Sequence, residues 1–148
     1  MSLVRLLRRI AATAAVLCLA LGLPACSETP TSPSGSVAFS QTDLREGTGA
    51  TAANGNLLLV HYTGWLYNPS QPEGKGGQFD SSAGRDPLDL LLGAGEVIQG
   101  WERGLPGMKV GGLRRLVIPP SLAYGSTRSG PIPPEATLVF DIELVEIR

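Results

Sequence analysis

Apolar and polar residues alternate most regularly at the end of the chain. Leu138, Phe140, Ile142 and Leu144 interleave with Val139, Asp141, Glu143 and Val145, the period of two of a strand with one buried and one mostly polar face. Residues 57–66 give a second strand, ended by Asn68-Pro69, and Leu113–Ile118 a third, stopped by Pro119-Pro120. Weaker strand patterns lie at 88–92 and 37–44. Residues 99–105 read as the one helix, short and closed by Pro106-Gly107. Carried back to Val97, that helix would set Val97 and Ile98 at i−4 and i−3 from Trp101, on one face. The Gly- and Pro-rich stretch 68–78 reads as an exposed turn. Together these elements predict an α+β domain, an antiparallel sheet with one helix against it.

The first 36 residues follow a different pattern. Arg5, Arg8 and Arg9 precede an uncharged apolar run at 10–23, and small residues lead to Cys26. That is the layout of an export signal over residues 1–25, too short for a typical membrane span. Arg8-Arg9 is a twin-arginine pair, but its flanking residues fit ordinary export better. Residues 27–36 are polar and rich in Ser and Pro, unable to bury a core, and read as a flexible linker. The folded domain is expected at 37–148.

Composition narrows the class. The chain has 148 residues, enough for one domain. Gly (19) and Pro (12) make about a fifth of it, which favours turns and short strands over a helical bundle. Without the three arginines of the leader, 9 basic residues face 13 acidic ones, so no nucleic-acid footprint is expected. Of the two cysteines, Cys18 lies in the leader, and the mature chain can hold no internal disulfide.

Leu23-Pro24-Ala25-Cys26 resembles a bacterial lipobox. On that reading Cys26 is lipidated, becomes the mature N-terminus and anchors the protein to a membrane. The alternative is simple cleavage near Ala25, leaving a free thiol. Ser27 gives no aspartate-type retention signal, so the resemblance implies the outer membrane in a Gram-negative cell. The protein is then expected in the periplasm or cell envelope.

Several tempting motifs do not hold. Gly74-Lys75-Gly76-Gly77 lacks the spacing and the Ser/Thr of a P-loop, and Gly93-Ala94-Gly95 lacks the third glycine of a dinucleotide fingerprint. Both read as turns. His61 is the only histidine, and no suitable ligand cluster accompanies it, so no metal site is expected. It reads as a hydrogen-bonded structural residue in a strand. No Gly-x-Ser-x-Gly elbow occurs, so no serine triad is expected either.

Tyr62, Phe79, Val97, Ile98, Trp101, Tyr124, Ile132 and Phe140 are a set that an ordinary core would also use. The words around them say more: Val60-His61-Tyr62-Thr63-Gly64, Phe79-Asp80-Ser81-Ser82, Glu96-Val97-Ile98-Gln99-Gly100-Trp101, Ala123-Tyr124-Gly125, and Ile132-Pro133-Pro134 through Ala136 to Phe140. In this order, over about 37–148, they resemble the FKBP-type peptidyl-prolyl cis-trans isomerases, which bind rapamycin and tacrolimus. The resemblance implies a twisted antiparallel sheet of about five strands wrapped around one short helix. It implies a pocket from Tyr62, Phe79, Asp80, Val97, Ile98, Trp101, Tyr124, Ile132 and Phe140. Trp101 would be the floor, while the Ile98 N–H and the Tyr124 hydroxyl would bind ligand carbonyls.

Two departures accompany the resemblance. Leu88 stands where the family usually has phenylalanine, which thins one wall. The segment from Tyr124 to Pro133 is one residue shorter than in the small members and carries Arg128-Ser129.

The reaction so implied is rotation about an X–Pro amide in exported proline-containing polypeptides, with no cofactor, metal or covalent intermediate. Asp80, Tyr124, Ile98 and Trp101 would be the catalytic group, Asp80 acting electrostatically and aligning Tyr62 or Arg85. Rapamycin-type macrolides would be inhibitors, and a monomer is expected. Two rivals stand beside this reading: a holdase for exported chains, and a surface module that grips a partner's proline loop.

Overall fold

The computed structural model describes residues 37–148. The leader expected at 1–25 and the Cys26 anchor and linker expected at 26–36 lie outside the described residues. Within 37–148 six strands form one antiparallel sheet: β1 (Ser40–Arg45), β2 (Leu57–Tyr67), β3 (Lys75–Ser81), β4 (Leu88–Leu91), β5 (Leu113–Ile118) and β6 (Leu138–Ile147). One α-helix, α1 (Gln99–Gly104), lies between β4 and β5 in the chain. The order across the sheet is β1-β5-β6-β2-β3, and β4 also pairs with β2. The long β2 makes this possible. Its first half takes β4 from Leu57↔Leu91 to Val60↔Leu88, and its second half takes β3 from Thr63↔Ser81 to Tyr67↔Lys75. Its other edge pairs with β6 from Leu58↔Ile147 to Leu66↔Leu138.

In β6 the alternation read from the sequence sets which face is buried, and burial alternates along β5 and the first half of β2 as well. Leu58 and Val60 of β2, Leu116 and Ile118 of β5, and Leu138, Phe140, Ile142 and Leu144 of β6 form one core with Trp101 and Leu105. Each such side chain taken fully from water contributes about 1.5–3 kcal/mol. Helix α1 reaches this face because it presents glycines to it. A Cβ on Gly100 would stand 2.4 Å from Ile118 Cγ2, and one on Gly104 would stand 2.5 Å from Leu116 Cδ2. Both separations are closer than side chains tolerate, so the helix lies against β5 only with its backbone bare.

One charged residue shares the buried face. Arg114 is 6% exposed and donates to both carboxylate oxygens of Asp43 on β1. Its remaining fork donates to the carbonyls of Gly104 and Pro106. These carbonyls stand at the end of α1, where the helix leaves them without internal partners. Arg114 therefore ties the edge strand to the helix that carries Trp101.

Three details differ from the sequence reading. The sixth strand, β3, begins inside the stretch read as a turn. Gly76-Gly77 has little strand propensity of its own, and the segment is held by its register with β2, by Lys75 packed 4.4 Å from the Trp65 ring centroid, and by Lys75 ion pairs to Glu73 and Asp141. Helix α1 starts at Gln99, with Ile98 extended at φ −59°, ψ 149°, so Val97 and Ile98 precede the helix instead of riding its face. Val139, on the face read as mostly polar, is fully buried between its register partners Trp65 and Val117.

Candidate functional site

Strands β2, β3 and β6, helix α1 and the loops beside them enclose a cavity of about 400 Å³. That is within the usual range for a small-molecule pocket. Tyr62 comes from β2, Phe79 and Asp80 from β3, Leu88 from β4, Trp101 from α1 and Phe140 from β6. Gly95, Glu96, Val97 and Ile98 come from the segment entering α1, and Tyr124 from the loop after the turn at Pro120–Leu122. The lining residues run from Tyr62 to Phe140 in the chain, so the site exists only when the sheet has formed.

Aromatic rings build its base. Trp101 is 4% exposed and meets Phe140 edge to face at 5.3 Å and 90°. Tyr62 meets Trp101 at 5.3 Å and 76°, and Phe79 meets Phe140 at 5.5 Å and 87°. Such edge-to-face pairs are worth about 0.5–1.5 kcal/mol each beyond area burial, and together they fix ring orientations. The bare backbone of β2 helps: a Cβ on Gly64 would fall 2.7 Å from Phe79 and 2.8 Å from Phe140. The Trp101 indole N–H is buried without a hydrogen-bond partner among the described residues, which marks how few acceptors the base contains.

The polar side is one connected group. Tyr62 donates its hydroxyl to Asp80 Oδ2 at 2.5 Å, and Arg85 donates to Asp80 Oδ1 at 2.8 Å. Arg85 also donates to the Ser81 carbonyl, and the Ser81 N–H donates to Asp80 Oδ1 at 2.8 Å. The Tyr62 bond holds the Asp80 carboxyl below its ordinary value, aided by Arg85 and Ser81 and opposed by burial. Burial, then the bond to Asp80, pushes the Tyr62 hydroxyl up to about 12. Asp80 is therefore an anion and Tyr62 a neutral phenol through the range between.

A neighbouring set of bonds is structural. The Tyr62 N–H donates to Ser82 Oγ at 2.9 Å, and His61 Nδ1 lies 3.0 Å from the same oxygen. Ser82 is 3% exposed. His61 thus stands in a strand with a hydrogen-bond partner, and Ser82 ties the end of β3 to β2.

Most of the residues singled out by sequence meet here. Tyr62, Phe79, Asp80, Leu88, Val97, Ile98, Trp101, Tyr124 and Phe140 all line the cavity. Leu88 and Tyr124 are its open side, 37% and 39% exposed. Ile132 is placed differently. It is 4% exposed in the core, and its backbone exchanges both hydrogen bonds with Ser129, so it braces the 124–133 loop from below. Gly95 and Glu96 were not singled out as pocket residues. Gly95 reads in sequence as part of a turn, and Glu96 only as the first residue of the word that ends at Trp101.

Comparison with known proteins adds an independent line. A family model described as FKBP-type peptidyl-prolyl cis-trans isomerase matches residues 49–145. An FK506-binding protein of Neisseria meningitidis serogroup A is 49% identical over 107 residues, 71% of this chain and 92% of that protein. FK506-binding protein 1 of Aspergillus oryzae is 41% identical over 108 residues, 70% of this chain and 93% of that protein. Among solved structures, AtFKBP13 superposes with a TM-score of 0.64 at 40% identity, covering 74% of this chain and 93% of that one. FkpA from Escherichia coli superposes with a TM-score of 0.62 at 39% identity, covering 74% and 48%.

Proposed function

Because this chain belongs to the FKBP-type peptidyl-prolyl cis-trans isomerases and is an isomerase of that type, we propose that the cavity over Trp101 is where it turns X–Pro bonds. The observation that carries this reading is the pairing of an aromatic base with the Asp80 carboxylate held at the wall by Tyr62.

The barrier to amide rotation, ~18–20 kcal/mol, comes from resonance that also separates charge. Twisting the bond removes both. An apolar site therefore favours the twisted amide over the planar one, and catalysis is differential binding of that state. Each ~1.4 kcal/mol of preference gives about tenfold in rate. No bond is broken, so the residues need only hold, orient and exclude water. Trp101, Val97, Ile98 and Phe140 hold the proline ring. The Ile98 N–H and Tyr124 hydroxyl bind the flanking carbonyls. Asp80, fixed by Tyr62 and Arg85, acts on the rotating amide as a charge and not as a base.

Cis–trans exchange of a short Leu-Pro peptide, with and without rapamycin, tests this. Rapamycin-sensitive acceleration that is lost in Trp101→Ala is expected. A folded Trp101→Ala protein with full activity would remove the pocket assignment. Rapamycin binding without acceleration would favour the holdase or proline-grip readings.

The place of action is part of the same proposal. Arg5, Arg8, Arg9 and the apolar run before Cys26 support export, and Leu23-Pro24-Ala25-Cys26 supports a lipid on Cys26 that keeps a monomer at the cell envelope. Natural substrates would then be proline-containing exported chains. Mass spectrometry of the N-terminal peptide settles the lipid, and Cys26→Ser is expected to move the protein from the membrane to the soluble fraction.

A further inference from the structure

We propose that Glu102 is a positioning residue for the isomerase site, acting through the loop that leads into Val97 and Ile98; the inference rests on the functional reading above. Glu102 follows the pocket floor Trp101 on α1, yet its carboxylate turns away from the sheet toward the loop. Oε2 accepts the Gly93 N–H at 2.7 Å and Oε1 accepts the Gly95 N–H at 2.9 Å. Its own N–H donates to the Ile98 carbonyl at 3.3 Å. One residue therefore brackets the segment from Gly93 to Ile98 at both ends.

The loop needs such a bracket. Gly93 and Gly95 sit at φ +90° and +76°, conformations that glycine reaches easily and leaves as easily. The base of the loop is tied down, since the Leu92 N–H donates to the Asn56 carbonyl at 3.0 Å and the Gly55 N–H to the Leu92 carbonyl at 2.8 Å. Glu96 closes the near side by accepting the Leu91 N–H at 2.9 Å. Beyond Leu92, the Gly93 and Gly95 N–H groups both end on the Glu102 carboxylate. Bonds to an ionised acceptor are the strong ones, and two from one side chain fix orientation as well as position.

What they fix is functional surface. Gly95, Glu96, Val97 and Ile98 form one wall of the cavity, and the Ile98 N–H is the donor assigned to the substrate carbonyl. A loop released at Gly93 and Gly95 would spread that wall over several conformations. Binding would then carry the cost of ordering it, which appears mainly in KM. The freed N–H groups lie at the surface and can turn to water, so global stability is expected to change little.

The test compares wild type, E102A and E102Q in the full protein. Isomerase kinetics, melting temperature and amide hydrogen exchange by NMR are read on each. E102A is expected to exchange the Gly93 and Gly95 amides about tenfold faster or more and to lose about tenfold in kcat/KM, mostly through KM, with a near-native melting temperature. E102Q keeps one acceptor oxygen and is expected to fall between. A purely structural role would lower the melting temperature without separating KM from kcat. An active wild type beside an E102A protein of unchanged KM overturns this inference alone. An inactive, folded wild type overturns the functional reading and this one with it. Should E102A fail to fold, E102Q decides: wild-type KM and wild-type Gly93 and Gly95 exchange overturn the proposal.

Discussion

Tyr62 on β2 and Asp80 on β3 are joined by a 2.5 Å hydrogen bond across two neighbouring strands, although they lie two residues out of register. Asp80 is the register partner of Gly64, and a bulge follows between Gly64 and Trp65. A side chain at Gly64 would collide with the Phe79 and Phe140 rings. The Tyr62–Asp80 pair links the apolar base of the cavity to the Asp80 carboxylate at its wall.

Acidification is expected to separate that pair. The Asp80 pKa is lowered in the folded protein, so the unfolded chain takes up the proton first as pH falls. Its contribution to stability is present above 3.8 and is lost as pH drops through the lower folded value. Asp43, lowered by the bond from Arg114, acts in the same direction over the same window. Tyr62 does the reverse at the alkaline end: its stabilising effect is complete below 10 and disappears as pH rises toward about 12. Denaturation midpoints measured from pH 2 to 5 on wild type and D80N check this. An acid slope for D80N as steep as that of wild type would contradict it.

Gly100→Ala is expected to cost about 1–3 kcal/mol, an overpacking penalty, because its Cβ would collide with Ile118. The same collision would lift Trp101, so isomerase activity is expected to fall with stability. Ile118→Ala destabilises alone by emptying the core, but the double variant is expected to lose less than the two separate losses combined. Additive losses in urea melts would show that the helix and β5 do not meet through this contact.

Arg114→Met is expected to destabilise by about 2–3 kcal/mol, since it leaves the Gly104 and Pro106 carbonyls without their charged donor. Asp43 keeps access to water and adds little to the loss. The informative readout is local. Amide exchange in α1 is expected to rise more than exchange in β6, and uniform acceleration across both would argue against a helix-end role.

Leu88→Phe restores a ring to the open wall of the cavity. The added apolar contact is worth about 1 kcal/mol, so rapamycin is expected to bind severalfold more tightly. Calorimetric titration of both proteins measures this directly. Equal or weaker binding by Leu88→Phe would mean that Leu88 does not face the ligand.

Much of this protein is legible in its sequence. Strand β6 shows period two, because one of its faces is buried and the side-chain repeat of a strand is fixed, and β2 and β5 read as strands that end at Asn68-Pro69 and Pro119-Pro120. Helix α1 was bounded at its end by Pro106-Gly107. The site residues were legible as ordered words rather than as chemistry, since Tyr62, Trp101 and Phe140 by composition are ordinary core. Other features depended on partners distant in the chain. Strand β3 has a Gly-Gly centre and is a strand only because β2 offers it hydrogen bonds and Trp65 offers Lys75 a surface. Val97 and Ile98 reach the cavity by an extended entry into α1 that helical spacing does not foresee. Ile132 looks like a pocket residue in sequence, and only packing shows it beneath the loop. Glu102 carries no local sign of its task, because its partners are two backbone N–H groups and no pattern of side chains records where a backbone donor points. Local periodicity follows from chain geometry and is written residue by residue. Hydrogen-bond partners across strands and loops are decided only when the sheet closes.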